Sequence, residues 1–225
     1  MICVVDYRKG NLKSVERGLA AAGADVVVSD DAARIARADA IVLPGVGAFA
    51  DASATMIELG QMDVIRRRIE AGVPFLGICL GLHLLFEEGE EGAPETGEEE
   101  EPMRPRGLSV LPGVVARMPR IDAAGRAFKV PHVGWNEVVP ASGDGAFSSP
   151  LFANVRPGEY FYFTHSYIVP DTPASTACTE HAVRFPCAVQ YRDNVFGVQF
   201  HPEKSSAVGL TILRNYVDLV RGGGR

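Results

Sequence analysis

Short apolar runs alternate along the first third of the chain with stretches in which apolar residues recur every three or four positions. Ile2 to Asp6, Asp25 to Ser29, Ala40 to Leu43 and Val73 to Ile78 have strand length and are rich in β-branched residues. Between them, Asn11–Ala22 carries Leu12, Val15 and Leu19 on one helical face and stops at Gly23. Ala32–Arg37 predicts a short helix, and Ala52–Ala71 a longer one broken near Gly60. Alternating strands and helices predict an α/β fold, with a parallel sheet covered on both faces.

The pattern changes after residue 107. Seven short runs predict strands: Gly113–Arg117, Lys129–Val133, Glu159–Phe163, Ser166–Val169, Ala174–Glu180, Cys187–Tyr191 and Val195–Phe200. They read as largely antiparallel, with Arg192-Asp193-Asn194 a tight turn between the last two. Ser205–Val220 predicts a closing helix with Val208, Leu213 and Val217 on its apolar side, and the Gly222–Gly224 tail is expected to fray. There is no internal repeat and no Pro/Ser-rich linker, so residues 1–225 read as one domain. Within it, 87–106 is an acidic and mobile loop.

Charge adds one qualification. The formal net charge is −6, but Glu87–Glu101 alone holds nine glutamates and no Lys or Arg. The rest of the chain has 22 basic residues against 19 acidic ones, so the acidity is local. No basic stripe with interleaved aromatics is present, which argues against nucleic acid as a partner. No run reaches membrane-spanning length, and the N-terminus reads directly as a strand rather than a signal peptide. Four scattered cysteines lack metal-ligand spacing and suggest no disulfide framework, so a reducing cytoplasm is expected, with no metal and no cofactor.

The candidate chemistry begins at Gly77-Ile78-Cys79-Leu80-Gly81. A cysteine between two glycines, at a strand-to-helix joint, has the form of a nucleophile elbow: a sharp turn lifts the side chain above the sheet. The helix start beneath it favours a thiolate. Pro44-Gly45-Val46-Gly47 leaves the neighbouring strand at the same end of the sheet, where ligands of α/β folds bind. Far downstream, Val195–Phe200 runs into His201-Pro202-Glu203. Cysteine, histidine and carboxylate supply a nucleophile, a base and an orienting group.

These motifs, in this order, resemble the class I (triad) glutamine amidotransferases, which have a flavodoxin-like fold. The resemblance spans nearly the whole chain. Asp6–Leu12, Pro44–Phe49, Pro131–Asn136, Tyr160–Tyr167 and Gln199–Ser205 carry it toward the glutaminase subunits that serve a (β/α)8-barrel cyclase in histidine biosynthesis. It implies Cys79, His201 and Glu203 as the triad, cleaving L-glutamine through a glutamyl thioester. It implies an oxyanion hole from Leu80 and from Val46 or Gly47, formed on activation. It implies glutamine contacts from Glu91, with its α-ammonium, and from His165, Ser166 and Tyr167. It also implies a heterodimer with the barrel subunit, which receives the ammonia, through Asn11, Trp135, Asn136, Tyr162 and Lys204.

Two departures stand out. The family usually carries glutamine four residues after the nucleophile; here it is His83, which shares a helix face with Cys79 and is expected to point at substrate and bind it more weakly. The acidic Glu90–Pro105 stretch is longer than usual and reads as a spacer. A non-catalytic docking subunit, or another cysteine hydrolase on the same fold, are the alternatives; glutamate release with the barrel partner separates them.

Overall fold

The computed structural model describes residues 1–94, 103–143 and 145–222. Four apolar strands, β1 (Ile2–Val5), β2 (Val26–Ser29), β3 (Ala40–Leu43) and β4 (Phe75–Ile78), alternate with helices α1 (Leu12–Ala21), α2 (Ala32–Ile35), α3 (Phe49–Glu58) and α4 (Gln61–Glu70). Gly60, at φ +67°, makes the break between α3 and α4. After β4 come α5 (Leu80–His83), β5 (Phe86–Gly89), β6 (Leu111–Arg117), β7 (His132–Pro140), β8 (Glu159–His165) and β9 (Tyr167–Ile168). The hairpin β10 (Ser175–His181) and β11 (Val183–Tyr191) leads to β12 (Val195–Val198) and the closing helix α6 (Ser206–Gly222).

Nine strands form one mixed sheet in the order β2-β1-β3-β4-β12-β11-β10-β7-β8. The first five run parallel, and from β12 onward each neighbour is antiparallel. Period-two alternation splits the core. Ile2 and Val4 face one side with α1 and α6 residues such as Leu19, Ile212 and Tyr216; Cys3 and Val5 face the other with Ile35, Ile65 and Phe75. Fully burying each such aliphatic side chain contributes about 1.5–3 kcal/mol. The Tyr216 hydroxyl is satisfied there by donating to the carbonyls of Ile41 (2.9 Å) and Pro74 (3.1 Å).

Two expectations are corrected. The acidic stretch does not begin as a loop: Phe86–Gly89 is a strand, paired in parallel with β6, with Phe86 and Gly89 buried and Glu87 exposed. The helix that opens after Cys79 is accordingly short, Leu80–His83. Residues 95–102 of the acidic stretch lie outside the described residues. The strand expected at Lys129–Val133 starts at His132 and continues to Pro140, because β8 pairs with it in continuous register from His132 to Val138. Gly134 and Trp135 are thus inside a strand rather than beyond one.

Candidate active site

β4 and β12 lie side by side in parallel register, Val198 opposite Ile78. Both deliver their next residues to the same end of the sheet. Cys79 follows β4 with φ 54° and ψ −106°, a conformation that costs a non-glycine residue about 1–3 kcal/mol. Its N–H is tied to the Val198 carbonyl (2.7 Å), and its own carbonyl accepts from Leu82 (2.9 Å). The turn is possible because the chain crosses itself where side chains are missing: a Cβ on Gly81 would collide with the Leu43 carbonyl, and one on Gly77 with the Gly81 carbonyl.

His201 follows β12. Its Nδ1 lies 2.9 Å from Glu203 Oε1, and both side chains are 2% exposed. Ser205 fixes the loop by donating its hydroxyl to the His201 carbonyl (2.7 Å) and accepting from the Tyr162 N–H (3.0 Å). His201 Nε2 is buried without a conventional partner and faces the Cys79 thiol. Burial opposes a charged ring here, but the facing Cys79 sulfur and the hydrogen bond with Glu203 outweigh it and lift the imidazole to about 9. The ring is therefore protonated at neutral pH and able to give a proton to a leaving group.

The thiol opens into a cavity of about 350 Å³. Val46, Gly47 and Leu80 form one wall, Glu91 another, and His165, Ser166 and Tyr167 a third. Leu80 opens α5, where a backbone N–H has no partner within the helix. Gly47, at φ +101°, holds a conformation open to glycine. Glu91 Oε2 accepts from the Phe49 N–H at the start of α3 (3.2 Å), and burial raises its carboxyl above the usual range despite that bond.

His83 lines the cavity but its Nε2 is engaged, 2.8 Å from Gln199 Oε1; Gln199 Nε2 in turn lies 3.7 Å from the Cys79 sulfur. The expected substrate-facing nitrogen is thus committed to Gln199. Burial lowers His83 to about 4, against the Gln199 bond. Gln199 had no assigned role in the sequence reading. The signal was its position two residues before His201, which puts both on one side of an extended segment.

His165 belongs to a directed chain. Its Nδ1–H donates to the Tyr167 carbonyl (2.9 Å), leaving Nε2 to accept from His132 Nδ1 (3.1 Å). His132 Nε2 faces the Asn136 amide at 3.5 Å, and the His181 ring stacks on His132. Burial is the first cause that lowers His132 to about 4 and His165 to about 3.

The residues expected at a partner surface divide. Trp135 is half exposed and lies opposite Tyr162 on the outer face of β7–β8, with ring centroids 6.1 Å apart. The Lys204 ammonium sits 5.9 Å from the Tyr162 ring. Asn136, one residue on, points to the opposite face, donating to the Glu180 carbonyl (2.8 Å). It is not part of that exposed cluster. Asn11 is exposed at the start of α1, its side chain making no capping bond.

A strained cysteine at a parallel strand's end, a histidine–glutamate pair just after the adjacent strand and a cavity at the thiol coincide with a match to the family model for class-I glutamine amidotransferases over residues 3–219. The chain belongs to that family. Among its relatives, the imidazole glycerol phosphate synthase subunit HisH of Syntrophotalea carbinolica is 44% identical over 221 residues, covering 97% of this chain and 100% of its own. The protein of the same name from Moorella thermoacetica is 46% identical over 227 residues, covering 99% and 97%. A solved glutamine amidotransferase shares the fold with a TM-score of 0.68 at 19% identity, over 98% of this chain and 100% of that one. PurLQS from Thermotoga maritima does so at 0.61 and 18%, over 100% and 98%. No helix among the described residues is long and apolar enough to cross a membrane.

Proposed function

We propose that this chain is the glutaminase subunit of an imidazole glycerol phosphate synthase. It hydrolyses L-glutamine and passes ammonia to a (β/α)8-barrel cyclase subunit. The carrying observation is the Glu203-braced His201 facing Cys79, whose thiol lines the cavity.

Cys79 sulfur attacks the side-chain carbonyl carbon of glutamine, and the developing oxyanion is met by the N–H of Leu80 and by one from Val46 or Gly47. His201, carrying its proton at neutral pH, gives it to the departing amine, so ammonia leaves as the C–N bond breaks. Water, deprotonated by the same ring, then attacks the thioester; the C–S bond breaks, glutamate leaves, and the sulfur is left as a thiolate with the proton on His201. Glu203 holds the ring's orientation and its charge. Glu91 meets the substrate's α-ammonium, and the His165–Tyr167 strip lines the other end.

Trp135, Tyr162 and Lys204, with Asn11, form the docking surface. Asn136 acts from behind it, through His132. The chain works as one domain in the cytoplasm, a placement supported by four buried free thiols.

The test is glutamate release by this chain, alone and with the barrel subunit plus that subunit's substrate or an analogue. Turnover that rises in the complex and vanishes in Cys79→Ala is expected. No release in the complex would overturn the reading.

A further inference from the structure

Cys79, His83 and Gln199 close a small ring. His83 sits one helical turn after Cys79 and donates its backbone N–H to the Cys79 carbonyl (3.2 Å). Its side chain then crosses to the segment after β12, where Nε2 meets Gln199 Oε1 at 2.8 Å. The same amide's Nε2 returns to the Cys79 sulfur at 3.7 Å. Gln199 is fully buried and His83 is 3% exposed. We propose that His83 is a positioning residue: it fixes the Gln199 amide with its NH2 group toward Cys79, and so favours the thiolate, rather than reading the amide of the substrate.

The argument is one of donors and acceptors. A glutamine Oε1 only accepts, so His83 Nε2 carries the hydrogen. The ring is neutral, as its burial dictates, and its Nδ1 is then bare. The two ends of the Gln199 amide are nearly identical in shape and opposite in polarity. With Nε2 toward sulfur, an N–H supports a thiolate by a charge-assisted bond. Turned over, Oε1 would face the sulfur and repel that same thiolate. A donor at position 83 decides between the two. A glutamine there could do the same with its own NH2 group, and leucine could not.

Other groups act on this sulfur. His201, braced by Glu203, approaches from after β12. Tyr7 lies close enough beyond β1 to interact with it, and Glu91 and His165 look in across the cavity. His201 remains the base, and the His83–Gln199 pair adjusts the thiol without replacing it.

The proposal rests on Cys79 being the nucleophile. Its test does not need glutamine. The pH profile of Cys79 alkylation by iodoacetamide, followed on the Cys79 peptide by mass spectrometry, is measured for the full chain. His83→Leu and Gln199→Leu are expected to move the midpoint up by about 1–2 pH units, the cost of one lost hydrogen bond to a charged group. The double variant is expected to move it no further, and His83→Gln to restore the wild-type midpoint. An unmoved midpoint in His83→Leu, additive shifts, or no rescue by His83→Gln would overturn the proposal.

Should His83→Leu not fold, imidazole 15N shifts of the wild-type chain decide. An Nε2–H tautomer at His83 is required, and an Nδ1–H tautomer overturns the pair. Shifted profiles in a chain whose complex releases no glutamate would uphold the pair while rejecting the glutaminase reading. The reverse combination would reject only the pair.

Discussion

Glu203 Oε1 and His201 Nδ1 are 2.9 Å apart, both out of solvent, in a loop whose carbonyl and amide ends are tied to Ser205 and Tyr162. A ring raised to about 9 in the folded chain, against about 6.5 unfolded, binds its proton more tightly when folded. Its stabilising contribution is full below pH 6.5 and is lost as pH rises through 9. The melting temperature is therefore expected to fall between pH 7 and pH 9.5. Glu203→Gln should flatten that slope and lower the His201 midpoint, checked by calorimetry and by NMR titration.

The three buried neutral histidines act in the opposite sense. His83, His132 and His165 are lowered to about 4, 4 and 3, first of all by burial, so the unfolded chain binds more protons between those values and about 6.5. Their contribution is present above pH 6.5 and lost as pH falls toward 4. Urea midpoints measured at pH 7, 6 and 5 are expected to decline steadily. His132→Asn should remove part of that decline.

Gly81 and Gly77 leave no alternative to a missing side chain. Alanine at either meets backbone, which cannot rotate away. A loss of more than about 3 kcal/mol, or failure to fold, is expected from urea titration for each. Gly72→Ala is the control. Its φ of +85° is strained for alanine but nothing lies within 4 Å, so about 1 kcal/mol is expected.

Cys79 itself is held at a dihedral pair that glycine adopts more readily. Cys79→Gly is expected to raise stability by about 1 kcal/mol in thermal unfolding while abolishing glutamate release.

Trp135 is half exposed and rests on Tyr162 alone among aromatic neighbours. Trp135→Ala should change the chain's own stability by less than about 1 kcal/mol. It should weaken the complex with the barrel subunit by about 2 kcal/mol, some thirtyfold, read by titration calorimetry.

Which parts were readable from residues follows from how locally each is encoded. β1, β3 and β4 are buried on both faces, so their unbroken apolar runs announce them, and the valine run of the edge strand β2 does the same. The elbow is written in two glycines around a cysteine, and the His201–Glu203 pair in three consecutive residues. β5 is not encoded that way. Glu87 and Glu88 read as part of a charge run, and only pairing with Leu111–Val115 makes the segment a strand. β7 hides for a similar reason, since Gly134 interrupts its pattern and β8 imposes its register. The His83–Gln199 contact was illegible because it joins two motifs whose separation along the chain says nothing about their distance in space. The same is true of Asn136, whose inward direction is set by where its strand begins.

β12 comes late along the chain yet slots into mid-sheet, between β4 and β11. During synthesis the thiol is therefore made long before its base, and the two meet only when that strand inserts. Until then a nascent chain carries no working pair and cannot squander amide nitrogen. Competence arrives together with completion of the sheet.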